Sequence, residues 1–315
     1  PLRCSRRILA LSEAAPREDD GTVASTAIGR GTDRLQQELD IGHWSPADPE
    51  PSPGETRTLR HGMAYHRSMR LPTAPTPARA RTLDLGARDL RPEHMDDPGL
   101  EPSLHRDALR GLRRINRVSG TAGRLWRELA PLARAKAGLG ILDLGCGGGD
   151  LLIELWTRAR AESLRPRLLG ADRSPRAVEL AQHAAARANA EVEFVCLDAV
   201  NDPWPAGVDV VISSLFLHHL EAADLGRLLH RCAVGGLQRV VMDDLERTTR
   251  GFALAWIGTR CLSRCAVVHH DGPQSVRAAL TRDELRAVAI ENGLDDARVD
   301  RRWPARLLLL WDSPA

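Results

Sequence analysis

From Leu139 onward the chain alternates between two hydrophobic periods. Short, nearly unbroken apolar runs predict strands at 139–144, 166–171, 192–197, 208–213 and 238–243. Between them, apolar residues recur every three or four positions and predict helices at 150–161, 175–189 and 221–233. Strands buried on both faces need no polar alternation, and parallel strands need helical crossovers to join them, so the pattern reads as a doubly wound α/β sheet. A further helix is predicted at 281–292, opened by the capping-box run Thr281-Arg282-Asp283-Glu284 and closed by Gly293. Two last runs, at 297–302 and 306–311, are close enough to pair as a hairpin, which puts one antiparallel strand in the sheet.

Ahead of this block, Leu109, Leu112, Ile115, Val118, Leu125, Leu129 and Leu132 fall at helical spacing, interrupted near Ser119-Gly120, and predict two helices. Residues 1–90 show no sustained period and carry prolines at 46, 49, 51, 53, 72, 75 and 77. A segment of that kind buries too little apolar surface to offset its ordering entropy, so it reads as disordered or loosely attached. The chain opens on Pro1 rather than Met, which leaves open whether this segment belongs to the native protein. The expected organisation is therefore a loose segment at 1–90, a helical lid at 91–137 and an α/β domain at 138–315.

Composition changes this picture little. Of 315 residues 43% are apolar, ample for a packed core, and the net charge is only +2. Lys136 is the single lysine; arginines supply the other basic residues and are scattered rather than striped. With aromatics at 3%, no basic face with interleaved rings emerges, and nucleic acid is excluded as an expected partner. Six cysteines form no C-x-x-C pair, which fits reduced thiols and a cytoplasmic setting, with no metal site expected. Ser5-Arg6-Arg7 followed by ILAL looks like a twin-arginine export signal, but the apolar run breaks at Ser12 and Glu13. No stretch reaches the ~18 apolar residues of a membrane span.

The chemistry concentrates at the strand ends. Strand 139–144 runs through Asp143 into glycines at 145, 147, 148 and 149. Glycines let the backbone turn at positive φ and let a ligand approach, while the following helix presents free N–H groups. A dinucleotide loop reads G-x-G-x-x-G and rests a pyrophosphate on that helix. Here an acid at the loop mouth would repel a pyrophosphate but suits a cationic amino-acid end of a sulfonium nucleoside. The second strand ends at Asp172, placed to accept ribose hydroxyls, with Arg173 beside it. The third ends at Asp198, placed to accept from an adenine amino group while the Ala199 N–H faces a ring nitrogen, and the fourth ends in Ser213-Ser214 and LFLHHL. Each acid alone reads equally well as a cap or turn residue; together, at successive strand ends, they read as one site.

Asp143-x-Gly145-x-Gly147-x-Gly149 resembles the first motif of class I S-adenosylmethionine-dependent methyltransferases, and ADRSPRAVELA, VCLDAVNDPWP and DVVISSLFLHHL stand where that family places its later motifs. The resemblance excludes the N-terminal segment. It implies a seven-stranded, mostly parallel Rossmann-like sheet with an N-terminal helical lid, and S-adenosyl-L-methionine as cofactor. The HHL ending is similar to small-molecule enzymes of the ubiquinone and menaquinone type. VVMDDLERT, RRIN at 113–116, HHDGPQSVR at 269–277 and RRWP at 301–304 look like a bacterial branch found beside polyketide or quinone biosynthesis, with Thr248 where that branch often has serine.

The reaction this resemblance implies is methyl transfer to oxygen or carbon of a small aromatic, quinone- or polyketide-derived acceptor. An oxygen nucleophile benefits from a base, and His218, His219, His269 and His270 are the candidates, with His270 favoured because a His-His-Asp run follows strand five where substrate loops sit. Asn116, Asp244, Arg247 and Asp271 are candidate acceptor contacts; a salt-bridged strand end is the plain reading for Asp244 and Arg247. FALAWIG at 252–258 reads as core, or else as the wall of a lipophilic tunnel or a face in transient contact with membrane. An NAD(P)-dependent oxidoreductase is disfavoured by the glycine spacing and by the lack of a Tyr-x-x-x-Lys pair, Tyr65 being the only tyrosine. A non-catalytic S-adenosylmethionine-binding subunit is the other alternative.

Overall fold

The computed structural model describes residues 84–97 and 99–314. The expectation for residues 1–83 falls outside the described residues. Seven strands form one sheet in the order β3-β2-β1-β4-β5-β7-β6. They are β1 Gly140–Leu144, β2 Arg167–Asp172, β3 Val192–Cys196, β4 Val210–Ser214, β5 Arg239–Leu245, β6 Arg298–Arg302 and β7 Arg306–Asp312. β7 runs antiparallel to both β5 and β6, while the β1–β2, β2–β3, β1–β4 and β4–β5 pairs are parallel. The sheet has the fold class implied by the sequence resemblance, and each predicted strand lies within two residues of an observed one.

Two helices precede the sheet, α1 Pro102–Ser119 and α2 Thr121–Ala135, divided at Gly120 in the left-handed region (φ +69°). The crossovers are α3 Asp150–Ala161, α4 Pro175–Ala188 and α5 Ala222–Val234. After β5 come α6 Thr249–Leu262, α7 Ala266–Ala278 and α8 Arg282–Glu291, the last opened by the capping box of Thr281 and Glu284.

Strand parity divides the core. On β7, Leu307, Leu309 and Trp311 pack with α5 and α8 residues such as Leu228 and Leu285, while Leu308 and Leu310 pack on the other face with Leu125, Leu155 and Ala181 of α2, α3 and α4. Successive side chains of a strand point to opposite faces, so a run of five apolar residues serves two layers at once.

Two expectations are corrected here. The loose segment does not extend to residue 90: the Arg88 guanidinium donates to the carbonyls of Ala278, His218 and Leu220, and the Asp89 amide donates to Arg277 O. This anchoring is long-range hydrogen bonding, which leaves no local apolar period to detect. FALAWIG is not core: Trp256 and Ile257 are 48% and 51% exposed, because α6 turns its other face to a cavity rather than to the sheet. No described helix is long and apolar enough to cross a membrane.

Candidate active site

A cavity of about 590 Å³ opens at the carboxyl ends of β1–β4, where the strand order reverses. One half is built by strand ends and the glycine loop. Gly145, Gly147 and Gly149 all adopt positive φ (+71°, +52°, +74°). A Cβ on Gly147 would meet nothing within 4 Å, so the loop presents bare backbone to the cavity. Gly149 does not border the cavity: a Cβ there would lie 2.7 Å from Phe194 Cζ and 2.9 Å from Ala181 Cβ, so its role is close packing of the loop on the α3–α4 layer, not the ligand contact expected from sequence.

Asp143, Asp172, Arg173, Asp198, Ala199 and Ser214 converge on this half. Asp143 is 1% exposed and its Oδ1 has no partner among the described residues. Burial, with the Asp172 charge adding to it, pushes the Asp143 carboxyl well above the usual carboxylate range. Asp172 accepts from the Gly147 amide at 2.8 Å and the Ser174 amide at 2.9 Å. Asp198 accepts from the amides of Val200 and Asn201 and from Asn201 Nδ2. Burial raises its carboxyl, but these hydrogen bonds outweigh that and hold it below its ordinary value. The Ser214 hydroxyl, like Asp143 Oδ1, is buried without a partner among the described residues. Orphaned buried acceptors beside open backbone are what a polar, cationic ligand would satisfy.

The other half is walled by α1, α6, α7 and the stretch 93–96. On α6, Gly251, Leu254, Ala255, Gly258, Thr259 and Leu262 face inward at helical spacing. On α7 the inward positions are Val268, Asp271, Gly272 and Ser275. Helix phase therefore turns His269 and His270 away, contrary to expectation: His269 Nε2 lies 2.8 Å from Ser263 O, and the His270 ring stacks on His94 at 3.9 Å. Asp271 does border the cavity, and its two oxygens accept from the amides of His94 and Met95 at 3.0 Å each.

His218 and His219 both face this half. His218 is 2% exposed; its Nδ1 is 2.6 Å from Asp244 Oδ1 and its Nε2 is 3.6 Å from Glu93 Oε1. Burial would lower the imidazole, but the two carboxylates outweigh it and raise the pKa to about 10. His218 is thus an imidazolium, and it holds the carboxyls of Glu93 and Asp244 below their ordinary range despite their burial. His219 is partly exposed, with Nδ1 3.3 Å from Asp96 Oδ2. Glu93, His218 and His219 bring potential ligand atoms within 4.8 Å of one another.

The remaining expected contacts divide. Asn116 lines the cavity and accepts from Arg306 Nη2 at 3.2 Å. Asp244 stands behind His218 rather than at the wall, and Arg247 is a strut: buried, it donates to the carbonyls of Leu85 and Ala279 and to Glu284. Sequence reasoning missed Glu93, Asp96 and Arg306. The first two lie in an aperiodic stretch assigned outside the sheet domain, and the third reads as one of many scattered arginines.

Residues 141–234 match the methyltransferase domain family. The chain is a class I S-adenosylmethionine-dependent methyltransferase. Its cofactor is S-adenosylmethionine, and the match covers the glycine loop and the strand ends that build the polar half of the cavity. A ubiquinone biosynthesis O-methyltransferase of Bradyrhizobium sp. (strain ORS 278) is 28% identical over 185 residues, 58% of this chain and 68% of that protein. One from Mesorhizobium japonicum is 35% identical over 138 residues, 42% of this chain and 51% of its own length. The S-adenosylmethionine-dependent methyltransferase SibL in its apo form has a TM-score of 0.50 at 19% identity, covering 70% of this chain and 60% of that one, a likeness of fold alone. Among ubiquinone O-methyltransferase relatives of this kind, this methyltransferase spans between 51% and 76% of their length.

Proposed function

We propose that this methyltransferase acts on a hydroxyl oxygen of a small, largely apolar acceptor, and that the His219–Asp96 pair takes the proton. The observation that carries the reading is the pairing itself: an imidazole on the cavity wall, engaged at Nδ1 by a carboxylate, leaves Nε2 free to accept. His218 is unsuited to that task, since it is buried and already carries its proton. Its part is to fix the Asp244 carboxylate behind the wall and the Glu93 carboxylate on it. The apolar inward face of α6 suits an aromatic ring, and the names of the ubiquinone biosynthesis O-methyltransferase relatives support an oxygen acceptor of quinone type.

S-adenosylmethionine supplies an already activated methyl group, so the protein's share is to bind, align, exclude water and manage one proton. In this reading Asp143 and the Gly145–Gly147 backbone hold the amino-acid end, Asp172 with Arg173 the ribose, and Asp198, Ala199 and Ser214 the base. Trp256 and Ile257, exposed on α6 between Arg250 and Arg260, support transient membrane contact when the acceptor is lipophilic. The test is methyl transfer from labelled cofactor to a panel of phenols and quinols, with the product's methyl located by NMR. Methylation on carbon alone, or none with any hydroxylated ring, would remove the proposal.

A further inference from the structure

Arg306 opens β7, is 2% exposed, and still borders the cavity. Its Nη1 donates to Asp243 Oδ1 at 3.1 Å and its Nη2 to Asn116 Oδ1 at 3.2 Å. Asp243 already has a cation. Arg124 donates to it from Nε at 2.9 Å and from Nη2 at 3.3 Å, and turns Nη1 onto the carbonyls of Ser119 and Trp303. Two guanidiniums, 2% and 6% exposed, thus share one carboxylate that is 0% exposed.

A guanidinium has five N–H donors and does not give up its charge inside proteins. Arg124 is surrounded by acceptors; Arg306 has Asp243 and Asn116. The next carboxylate, Asp244, attracts Arg306 but is bonded to His218. Arg306 is therefore the cation of the cluster with the fewest acceptors of its own, and it borders the cavity that the apolar Ile115 and Leu254 also line. Asn116 sharpens the chemistry. Because a guanidinium only donates, the amide oxygen must face Arg306, which leaves Nδ2, also a donor, as the amide's free end. A patch that offers N–H groups and no acceptor selects an anionic oxygen over a hydroxyl or an amide.

We propose that Arg306 and Asn116 form an anion-receiving subsite and that the acceptor carries a carboxylate which docks there. The proposal rests on the reading that this half of the cavity holds the acceptor. It goes further in naming a charged group on that acceptor and the two residues that select it.

The experiment is calorimetric titration of the full chain, saturated with S-adenosylhomocysteine so that nothing turns over, with 6-hydroxy-2-naphthoate and with its neutral carboxamide. The naphthoate should bind about 10-fold or more tightly than the amide. That preference should shrink to within about twofold in Arg306→Lys, which keeps charge but loses the planar fork, and in Asn116→Ala, which leaves the buried ion pairs in place. Affinity for S-adenosylhomocysteine in Asn116→Ala, unchanged within about twofold, controls for a merely structural effect. Equal binding of the two probes, no binding of the naphthoate, or a preference that survives in both variants overturns the subsite. Methyl transfer is a separate readout: a carboxylate preference with no O-methylated product defeats the proposed reaction and leaves the subsite standing.

Discussion

Asp172 Oδ2 accepts the Gly147 amide at 2.8 Å, so the acid ending β2 is tied directly to the glycine loop that follows β1. A residue read from sequence as a ribose contact therefore also shapes the loop. Replacing it by alanine removes both functions, and cofactor affinity should weaken by about 1–3 kcal/mol. Asp172→Asn, whose amide oxygen can still accept from Gly147, should lose less. Calorimetry with S-adenosylhomocysteine checks the order; unchanged affinity in Asp172→Ala would take the residue out of the site.

Two glycines of the loop should respond differently. In Gly149→Ala the new Cβ sits 2.7 Å from Phe194 Cζ at φ +74°, and strain with overpacking should cost about 1–3 kcal/mol of stability. In Gly147→Ala the Cβ meets nothing, so stability should fall by only about 1 kcal/mol while cofactor affinity drops. Melting temperatures and titrations on both variants decide it; equal loss of stability would contradict the packing argument.

His219→Ala should lower kcat by about 100-fold or more with cofactor affinity intact, and Asp96→Asn should lower it by a smaller factor. His270→Ala should leave kcat unaltered, since α7 turns that ring away from the cavity. Should the His270 variant be the impaired one, the assignment of the base returns to the His-His-Asp run.

His218 makes stability depend on pH. Its folded pKa, about 10, lies above the ordinary imidazole value of 6.5, so between these values the folded chain holds a proton that the unfolded chain has released. The stabilisation is fully present below about pH 6.5 and is lost as pH rises through the folded value. Melting temperature should therefore fall across that window and fall less steeply in His218→Gln. A flat profile in the native chain would show that the imidazole is not charged.

Much of the fold was legible because parallel strands buried on both faces must be apolar at nearly every position, as Ile141–Leu142 and Val210–Ile212 are. The polar half of the cavity was legible for a related reason: its residues come directly after those strands. The acceptor half was not. Reading α7 as a loop ignored helix phase, which alone separates Asp271 from His270. Neighbouring acids on β5 point to opposite sides of the strand, so Asp243 meets two arginines and Asp244 meets a histidine, a distinction invisible in the string DDL. Glu93 and Asp96 act across more than a hundred residues of sequence, through contacts that no local period encodes.

Both carboxylate oxygens of Asp271 hold down the backbone at His94 and Met95, next to Glu93 and Asp96, which face the two histidines. One acid on α7 is thereby the hasp on the chamber's ceiling. Shortened versions of this enzyme should begin no later than Asp84; a cut placed just before α1 would spare the nucleoside half and leave the reaction without its roof.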